Sequence, residues 1–594
     1  MKITRTFDLL DRYAQHYNIE NVLNAKEKGI WRNYSTTEYI ELAHSFAYGL
    51  MALGFQRGDK IITVSNNRPE WNFVDIGMSM LGVIHVPVFT SLSTNEYLQI
   101  LSHSAAKIIL VSDHCLYKRI EGIFKNHSVE VELYSFDQLE GVKNWREIVE
   151  SGRLRRDEFI EKLENIKLHI KETDFATLIY TSGTTGDAKG VMLSHQNLVQ
   201  NFIAASEVFG LGPNDKYLSI LPLCHVGGRM GNYQTQYSGC PIYYAENMGT
   251  IAANMKEIKP QGFDAVPRIL EKIFDNVIAK GKTLKGIKKK MFFWAVSLGL
   301  RYQLPEDSTW WYKKQHALAD QLIFSKWREA LGGNIKICGC GGASLQPRLE
   351  RVFWASGIKI LNMYGLTETS PIITINRSDT PLVKLGTVGA LIDGVKMKIA
   401  EDGEILCKGH NVMLGYFKNP ELTAQVIDED GWFHTGDIGK ITHGKFLEIT
   451  DRKKEIFKLS SGKFVAPQVI EGKLKESVFI EHAMVIGEQE KHASALIVPN
   501  FSYLTNWCKE NDLPCIKKRE LIFHPKIAIL FNQEIKRINR DLNQHEKILR
   551  YRLVTDSWSP ESGELSPTLK LRRKFILEKY ADEILKIYLK KEVV

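Results

Sequence analysis

Tyr180-Thr-Ser-Gly-Thr-Thr-Gly-Asp-Ala-Lys-Gly190 follows the apolar run Phe175 to Ile179 and packs three glycines, four Ser/Thr hydroxyls and one lysine into eleven residues. A strand that stops at such a turn exposes successive backbone N–H groups. With the hydroxyls they form a concave nest for polyphosphate oxygens, to which Lys189 adds a point charge. A Walker-type loop requires Gly, four residues, then Gly-Lys-Ser/Thr. Counted from Gly183, Ala188 stands where the second glycine belongs and Gly190 where the hydroxyl belongs. The plain alternative is a flexible Gly/Ser/Thr loop, so the rest of the chain has to decide.

The chain has 594 residues, more than one hydrophobic core usually supports, which predicts two or more domains. With 44% hydrophobic and 25% charged residues, long disordered spans are not expected. A net charge of +9 is small for this length, and no nucleic-acid motif accompanies it, so a DNA or RNA binder is disfavoured. The eight cysteines are scattered without a CxxC pair, which suits a reducing cytosol. Cys338 and Cys340 read as small packing residues in a glycine-rich turn. Met1 to Leu10 lacks the apolar core of a secretory signal, and no apolar window reaches transmembrane length. These features predict a cytoplasmic protein, with contact at the inner face of the membrane left open.

Apolar runs at Lys60–Ser65, Val83–Phe89 and Lys107–Ser112 alternate with helix-like stretches, the pattern of an α/β sheet. The pattern resumes at Phe175, Lys216–Leu221, Pro241–Tyr244, Ile335–Cys338 and Lys359–Met363. Between Phe263 and Trp327 it yields to a helical insertion. From about 385 to 450 short alternating strands with Gly and Asp turns predict a small β-rich subdomain. Asp451-Arg-Lys-Lys-Glu455 reads as a charged connector and sets the expected boundary between residues 1–450 and 451–594.

Tyr364-Gly-Leu-Thr-Glu368 follows an apolar run and therefore belongs at a strand's end, where α/β folds place ligands. It offers an aromatic face, a hydroxyl and a carboxylate able to join Mg²⁺. Trp432-Phe-His-Thr-Gly-Asp437 ends in an expected turn whose carboxylate suits a ribose diol. Each is mundane alone, a surface glutamate and an Asp turn.

Together with Gly339–Ser344, Asp451–Lys458 and Leu565-Ser-Pro-Thr-Leu-Lys570, these motifs resemble in order and spacing the adenylate-forming superfamily of acyl-CoA synthetases, luciferases and peptide-synthetase adenylation domains. The resemblance spans nearly the whole chain. Within the superfamily it is closest to long-chain fatty acid–CoA ligases, through Leu221-Pro-Leu-Cys-His-Val226, Ala265-Val-Pro-Arg-Ile-Leu270, Lys454-Glu-Ile-Phe-Lys458, Gly462-Lys-Phe-Val-Ala-Pro467 and Ser566-Pro-Thr-Leu-Lys570.

The resemblance implies a large N-terminal α/β domain of stacked sheets with flanking helices and a barrel-like subdomain, and a small mobile α+β C-terminal domain. It implies ATP, Mg²⁺ and coenzyme A, with a fatty acid as substrate. Thr181, Ser182, Gly183, Thr184, Thr185, Gly186 and Lys189 would hold the ATP phosphates, and Thr184 and Glu368 would place Mg²⁺. Gly342, Asn362, Met363 and Tyr364 would surround adenine, and Thr367 would meet the α-phosphate. Asp437 and Arg452 would hold the ribose, with Lys454 and Lys458 near. His225, Gly341 and Gly365 would line the acyl substrate, and Ser460, Ser461, Gly462 and Lys463 the coenzyme A path. Lys570 would be the catalytic lysine of adenylation, carried away by a swing about the hinge Asp451. Medium-chain or aryl acids, a carrier-protein acceptor, a non-catalytic binding protein and a homodimer stay open. From the residues alone His225 reads first as a hydrogen-bonded core histidine and only second as a substrate-side residue.

Two positions depart from the family's habit: Ala188 replaces a usual proline, and Gly227-Gly228 replace bulkier or acidic residues. Finally, Leu284, Ile287, Met291, Trp294 and Leu298 recur at helical spacing opposite Lys282, Lys285 and Lys289. This predicts a basic amphipathic helix near 282–300. Its apolar face reads first as core packing and second as peripheral contact with an anionic membrane.

Overall fold

The computed structural model describes residues 2–127, 131–182, 188–511, 513, 517–566 and 569–589. It divides into two compact units. The first comprises Met1–Met397, Cys407–Phe433 and His443–Leu447, and the second Lys398–Leu406, His434–Thr442 and Glu448–Val594.

The first unit is α/β, built on two large sheets. One has seven strands in the spatial order Gly415–Tyr416, Ala188–Ser194, Phe175–Ser182, Ile84–Val88, Lys60–Val64, Ile108–Val111 and Glu132–Ser135. Its central members pair in parallel. They are rich in Val and Ile and buried along their length, as parallel strands covered on both faces must be. The other sheet has nine strands, with Lys359–Gly365, Ile337–Cys340, Gly262–Ala265, Tyr217–Ser219 and Ile242–Tyr244 parallel at its centre.

Cys338 and Cys340 lie in a central strand of this sheet and are fully buried, not in a turn. Gly339 between them makes this possible, since a Cβ there would stand 2.3 Å from an Asp264 oxygen and 2.6 Å from the Phe209 ring. Phe263, expected to open the helical insertion, is likewise in a central strand, Gly262–Ala265. Four residues are too few to show a period, and the helical run begins only at Pro267.

Asp264 is wedged between Gly339 and Gly231, where a Cβ would lie 2.2 Å from its carboxylate. Burial pushes its carboxyl up to about 7, against the Tyr217 hydroxyl and the Gly339 N–H, which favour the charged form. An acid raised in the folded state leaves folding unpenalised below its unfolded pKa. The handicap grows as pH rises towards about 7 and stays above it, and reaches roughly 4 kcal/mol. Asp264→Asn is therefore expected to stabilise the protein at pH 8 and to flatten stability between pH 4 and 7, read by urea denaturation at several pH values. Loss of stability at pH 8 would contradict this.

The predicted amphipathic helix is two helices, Pro267–Thr283 and Gly286–Leu300, broken at Leu284-Lys285 by Gly286 with φ 56°. The face turned to the core is Phe292, Ala295, Val296 and Gly299 together with Leu298 of the expected stripe, and Leu284 and Trp294 of that stripe pack against the same cluster. Of that expected stripe, Leu298 is buried, Met291 and Trp294 are half-buried, and Ile287 is 73% exposed. The register is set by Gly281 and Gly299. A Cβ at Gly281 would overlap the Phe292 ring at 2.0 Å, and Gly299 sits against Val352 and Phe324.

A four-stranded sheet follows, ordered Val395–Ile399, Glu404–Gly409, Phe433–Thr442 and Phe446–Arg452. The second unit also holds a three-stranded sheet of Ile480–Ile486, Ser494–Pro499 and Arg550–Leu553, covered on both faces. Alternation divides it: Ala483, Val485, Ala495 and Ile497 join one cluster with Phe531 and Leu504, while Met484, Ile486, Leu496 and Val498 join another with Trp558, Ile576 and Tyr580. Among the described residues, no helix is long and apolar enough to cross a membrane.

Candidate functional site

Phe175–Ser182 and Ala188–Ser194 form an antiparallel hairpin with Thr181 opposite Lys189. A Walker loop leads from a strand into a helix, so this connectivity excludes it independently of the spacing. Gly183, Thr184, Thr185 and Gly186 lie outside the described residues, as does the side chain of Ser182. Gly190 is required by packing, because a Cβ would stand 2.9 Å from Leu178 and 3.4 Å from the Tyr180 ring.

The nine-stranded sheet supplies the second component. Cys340 is in register with Asn362, so Gly341 and Gly342 leave one strand beside the point where Met363, Tyr364 and Gly365 complete the next. A Cβ on Gly341 would press on Met363 at 2.9 Å, whereas one on Gly342, with φ 82°, would meet Val266 at an ordinary 3.8 Å. Asn362 is buried, and its amide donates to the Thr387 carbonyl at 2.9 Å. It therefore anchors the loop behind the strand. Gly365 allows the chain to turn against Pro371, whose carbonyl oxygen would lie 1.6 Å from a Cβ. The 3₁₀ turn Thr367–Thr369 then presents Thr367 and Glu368, both half-buried.

Segment Met413–Phe417, which the sequence reading passed over, joins the two sheets. Met413 N–H donates to the Glu368 carbonyl, Gly415 and Tyr416 pair with Met192 and Val191, and Phe417 N–H donates to Gly190. The Tyr416 hydroxyl donates to Glu368 Oε1 at 2.9 Å, and the Lys189 ammonium lies 5.5 Å from the Tyr416 ring centre. Burial, then the Glu368 carboxylate, push the Tyr416 phenol up, so it stays protonated and donates. One ring thus ties the lysine of the glycine-rich hairpin to the carboxylate 179 residues later. A two-residue strand carries no periodicity, which is why Tyr416 escaped notice.

Glu368 suits Mg²⁺ that arrives with nucleotide: it is a half-buried carboxylate with one oxygen held by Tyr416. No group of three or more His, Cys, Asp or Glu placed to hold an ion occurs among the described residues. Mg²⁺ characteristically takes one or two carboxylates plus substrate phosphates.

His225 caps the helix Val226–Tyr237, its Nδ1 accepting the Gly227 N–H at 3.1 Å. Gly228 is explained by the same turn, since a Cβ would lie 2.3 Å from the Pro222 carbonyl oxygen. A cavity of about 870 Å³ lies near the N-terminal ends of the same strands, lined by Gln261, Lys336, Lys359 and Arg328. It is at the opposite end from Gly341 and Tyr364.

In the second unit Asp437 is buried within the strand Phe433–Thr442, not in a turn. Phe433, Thr435 and Asp437 alternate inward, and Gly436, φ 71°, bends the strand. Arg452 Nε donates to Asp437 Oδ1 at 2.8 Å. Glu404 holds the bend by accepting the Gly436 N–H and the Lys453 ammonium. Asp451 is buried at the end of its strand, where burial pushes its carboxyl up to about 7. Lys454 is exposed, and Lys458 lies over the Phe464 ring. Ser460, Ser461, Gly462 and Lys463 form the exposed turn of the hairpin Phe457–Lys458 and Phe464–Val465. Lys570 is exposed at a loop whose base is the Leu565–Leu571 bridge. Ser566 N–H donates to the Lys570 carbonyl and Ser566 Oγ accepts the Lys570 N–H. Arg573, also missed, bridges Glu455 and Glu471 at 2.8 and 2.7 Å.

The description "AMP-binding enzyme" matches residues 10–417, and "AMP-binding enzyme C-terminal domain" matches 454–592. The chain is 30% identical over 574 residues to a long-chain-fatty-acid–CoA ligase of Mycobacterium bovis, covering 94% of this chain and 93% of that protein. It is 29% identical to a long-chain-fatty-acid–CoA ligase of Xenopus laevis, covering 98% and 83%. Among solved structures it is similar in fold to the adenylation domain of a carboxylate reductase from Mycobacterium chelonae, with TM-score 0.74, 21% identity and coverage of 99% and 91%.

Proposed function

The chain belongs to the AMP-binding enzyme family, and from that membership we propose that it is a long-chain fatty acid–CoA ligase. The reaction joins a fatty carboxylate to ATP, giving acyl-AMP and pyrophosphate, and then passes the acyl group to the thiol of coenzyme A, releasing AMP. The observation that carries this reading is Tyr416, whose ring has the Lys189 ammonium 5.5 Å from its centre and whose hydroxyl donates to the Glu368 carboxylate, so that one side chain touches both groups.

The first half-reaction sets an anion against a polyanion. At about 4 Å and an effective dielectric near 20 each such encounter costs roughly 4 kcal/mol, about a thousandfold in rate. In this reading the Thr181–Lys189 hairpin binds the β- and γ-phosphates, Gly342, Asn362, Met363 and Tyr364 line the adenine, and Thr367 meets the α-phosphate. Thr184 and Glu368 would hold Mg²⁺, which would supply screening of phosphate charge. Asp437 and Arg452 take the ribose diol, with Lys454 and Lys458 near, and Lys570 supplies the second cation. His225, Gly341 and Gly365 border the acyl group. His225 positions and does not act as base, since a fatty acid is already ionised at neutral pH. No phosphate repulsion remains in the second half-reaction. A swing about Asp451 that withdraws Lys570 and offers Ser460–Lys463 to the pantetheine then serves it.

Pyrophosphate release across saturated acids of increasing length, followed by coenzyme A addition, tests the proposal. Turnover that rises with chain length and ends in thioester is expected. Preference for short or aryl acids, or acyl-AMP that persists after coenzyme A, would replace it with the corresponding ligase. A finer expectation concerns Tyr416→Phe, which keeps the ring beneath Lys189 but removes a hydrogen bond to a charged group worth about 1.5–3 kcal/mol. Pyrophosphate release should fall roughly 10- to 100-fold with the fold retained by circular dichroism; unchanged release would remove Tyr416 from the site.

A further inference from the structure

We propose that Asn197 and Asn201, on the first two turns of the helix His195–Phe209, are positioning residues for Glu368 and Tyr416: they clamp the two chain segments that bring the carboxylate and the phenol together. The inference rests on the proposed function in taking Glu368 as the carboxylate that serves the magnesium nucleotide.

Ser194 Oγ accepts the Asn197 N–H at 3.1 Å, and the Asn197 side chain accepts the Ser194 N–H at 2.8 Å, a reciprocal cap that Glu or Gln commonly completes. Glutamate would close this cap equally well but carries no donor. Asparagine has a free NH₂ left over, and it donates to the carbonyls of His410 and Val412 at 2.6 and 2.9 Å. One turn later Asn201 accepts the Ile372 N–H at 3.2 Å and donates to the Ile372 carbonyl at 3.0 Å, as a neighbouring strand would. Both asparagine side chains are buried, where a polar group left without its partner is costly.

Glu368 lies four residues before Ile372, and Tyr416 four residues after Val412. The two segments are also tied to each other. Buried Asn411 donates to the Ile372 carbonyl at 3.3 Å, its own carbonyl accepts the Ser370 hydroxyl at 2.8 Å, and the Met413 N–H donates to the Glu368 carbonyl at 2.9 Å. Ser370 is itself fully buried with φ 70°, a backbone conformation that persists only where its surroundings hold it. The clamping helix continues directly from the strand Ala188–Ser194, whose second residue is Lys189. One helix end therefore fixes the lysine's strand, the carboxylate's turn and the phenol's segment relative to one another, through their backbones.

Asn197→Asp and Asn201→Ala test the clamp, with Ser194→Ala as control, since it weakens the helix cap and leaves both asparagine amides in place. Hydrogen–deuterium exchange of the nucleotide-free protein should quicken by about tenfold in peptides covering 366–373 and 410–417 of each asparagine variant, and not in the control. The Mg²⁺ concentration for half-maximal pyrophosphate release at saturating ATP should rise roughly tenfold, with the KM for fatty acid within about twofold. Ser194→Ala should keep the intact Mg²⁺ requirement although its urea midpoint falls. The asparagine variants are read separately, so either one that folds by circular dichroism decides. Unchanged exchange and Mg²⁺ requirement in a folded asparagine variant, or a control that raises the requirement as much, overturns the inference. An intact protein that releases no pyrophosphate from ATP and fatty acid would instead overturn the proposed function, and the exchange measurement would still decide the clamp.

Discussion

Lys570→Ala is expected to lower acyl-AMP formation by about a thousandfold while leaving thioester formation from supplied acyl-AMP within a fewfold of the intact enzyme. The magnitude is that of one uncompensated like-charge encounter, roughly 4 kcal/mol at short range in a protein-like dielectric. The asymmetry follows because phosphate repulsion belongs to the first half-reaction alone. The change suits the experiment structurally. Lys570 is exposed, and the loop beneath it is pinned by backbone and Ser566 hydroxyl bonds that truncation at Cβ leaves intact. Single-turnover assays with labelled acid would follow both halves, and equal losses in the two would refute the assignment. Lys570→Arg keeps the charge with another shape and should retain more adenylation than the alanine variant.

Arg573→Ala should produce the largest loss of stability, about 3–5 kcal/mol, confined to the second unit. The Arg573 guanidinium is the shared partner of Glu455 and Glu471, and Glu471 is buried and also accepts the Val485 N–H. Removing the cation leaves two carboxylates short of compensation. Burial alone raises both; Arg573 opposes it, leaving Glu455 below the ordinary carboxylate range and Glu471 above it. Without Arg573 Glu455 rises from its lowered position and Glu471 rises further, so the folded state of the variant binds protons more tightly than that of the intact protein, and at Glu471 more tightly than the unfolded chain. Its penalty is therefore full at neutral and alkaline pH and shrinks as pH falls through the raised values. Urea denaturation at pH 8 and pH 5, with limited proteolysis to locate the opened region, would show this. A penalty independent of pH would point to lost packing instead.

Much of the architecture was legible because strands in parallel sheets are apolar runs bounded by turns. Lys60–Val64, Ile84–Val88, Ile108–Val111 and Lys359–Gly365 fall within a residue or two of where those runs predict them. Segments too short to show a period were not legible. Gly262–Ala265 was absorbed into a helical run, and Gly415–Tyr416, which ties the two sheets, left no signal. Asp437 was read as a turn because its Gly-Asp neighbours are turn formers, yet alternation with Phe433 and Thr435 kept it in a strand.

By itself the sequence determined the composition of the site: a glycine- and hydroxyl-rich hairpin with one lysine, a Tyr-Gly-Leu-Thr-Glu strand end, an Asp–Arg pair and a late lysine, in fixed order. These are local patterns, written in consecutive residues. The tertiary structure decided which groups meet across long separations, such as Tyr416 on Glu368 and Arg573 between Glu455 and Glu471. It also decided which side of the Gly286–Leu300 helix turns inward. Periodicity reports that a helix has an apolar side, whereas the clearance at Gly281 and Gly299 selects the residues that fill the core. The apolar side chains left over then meet whatever lies outside.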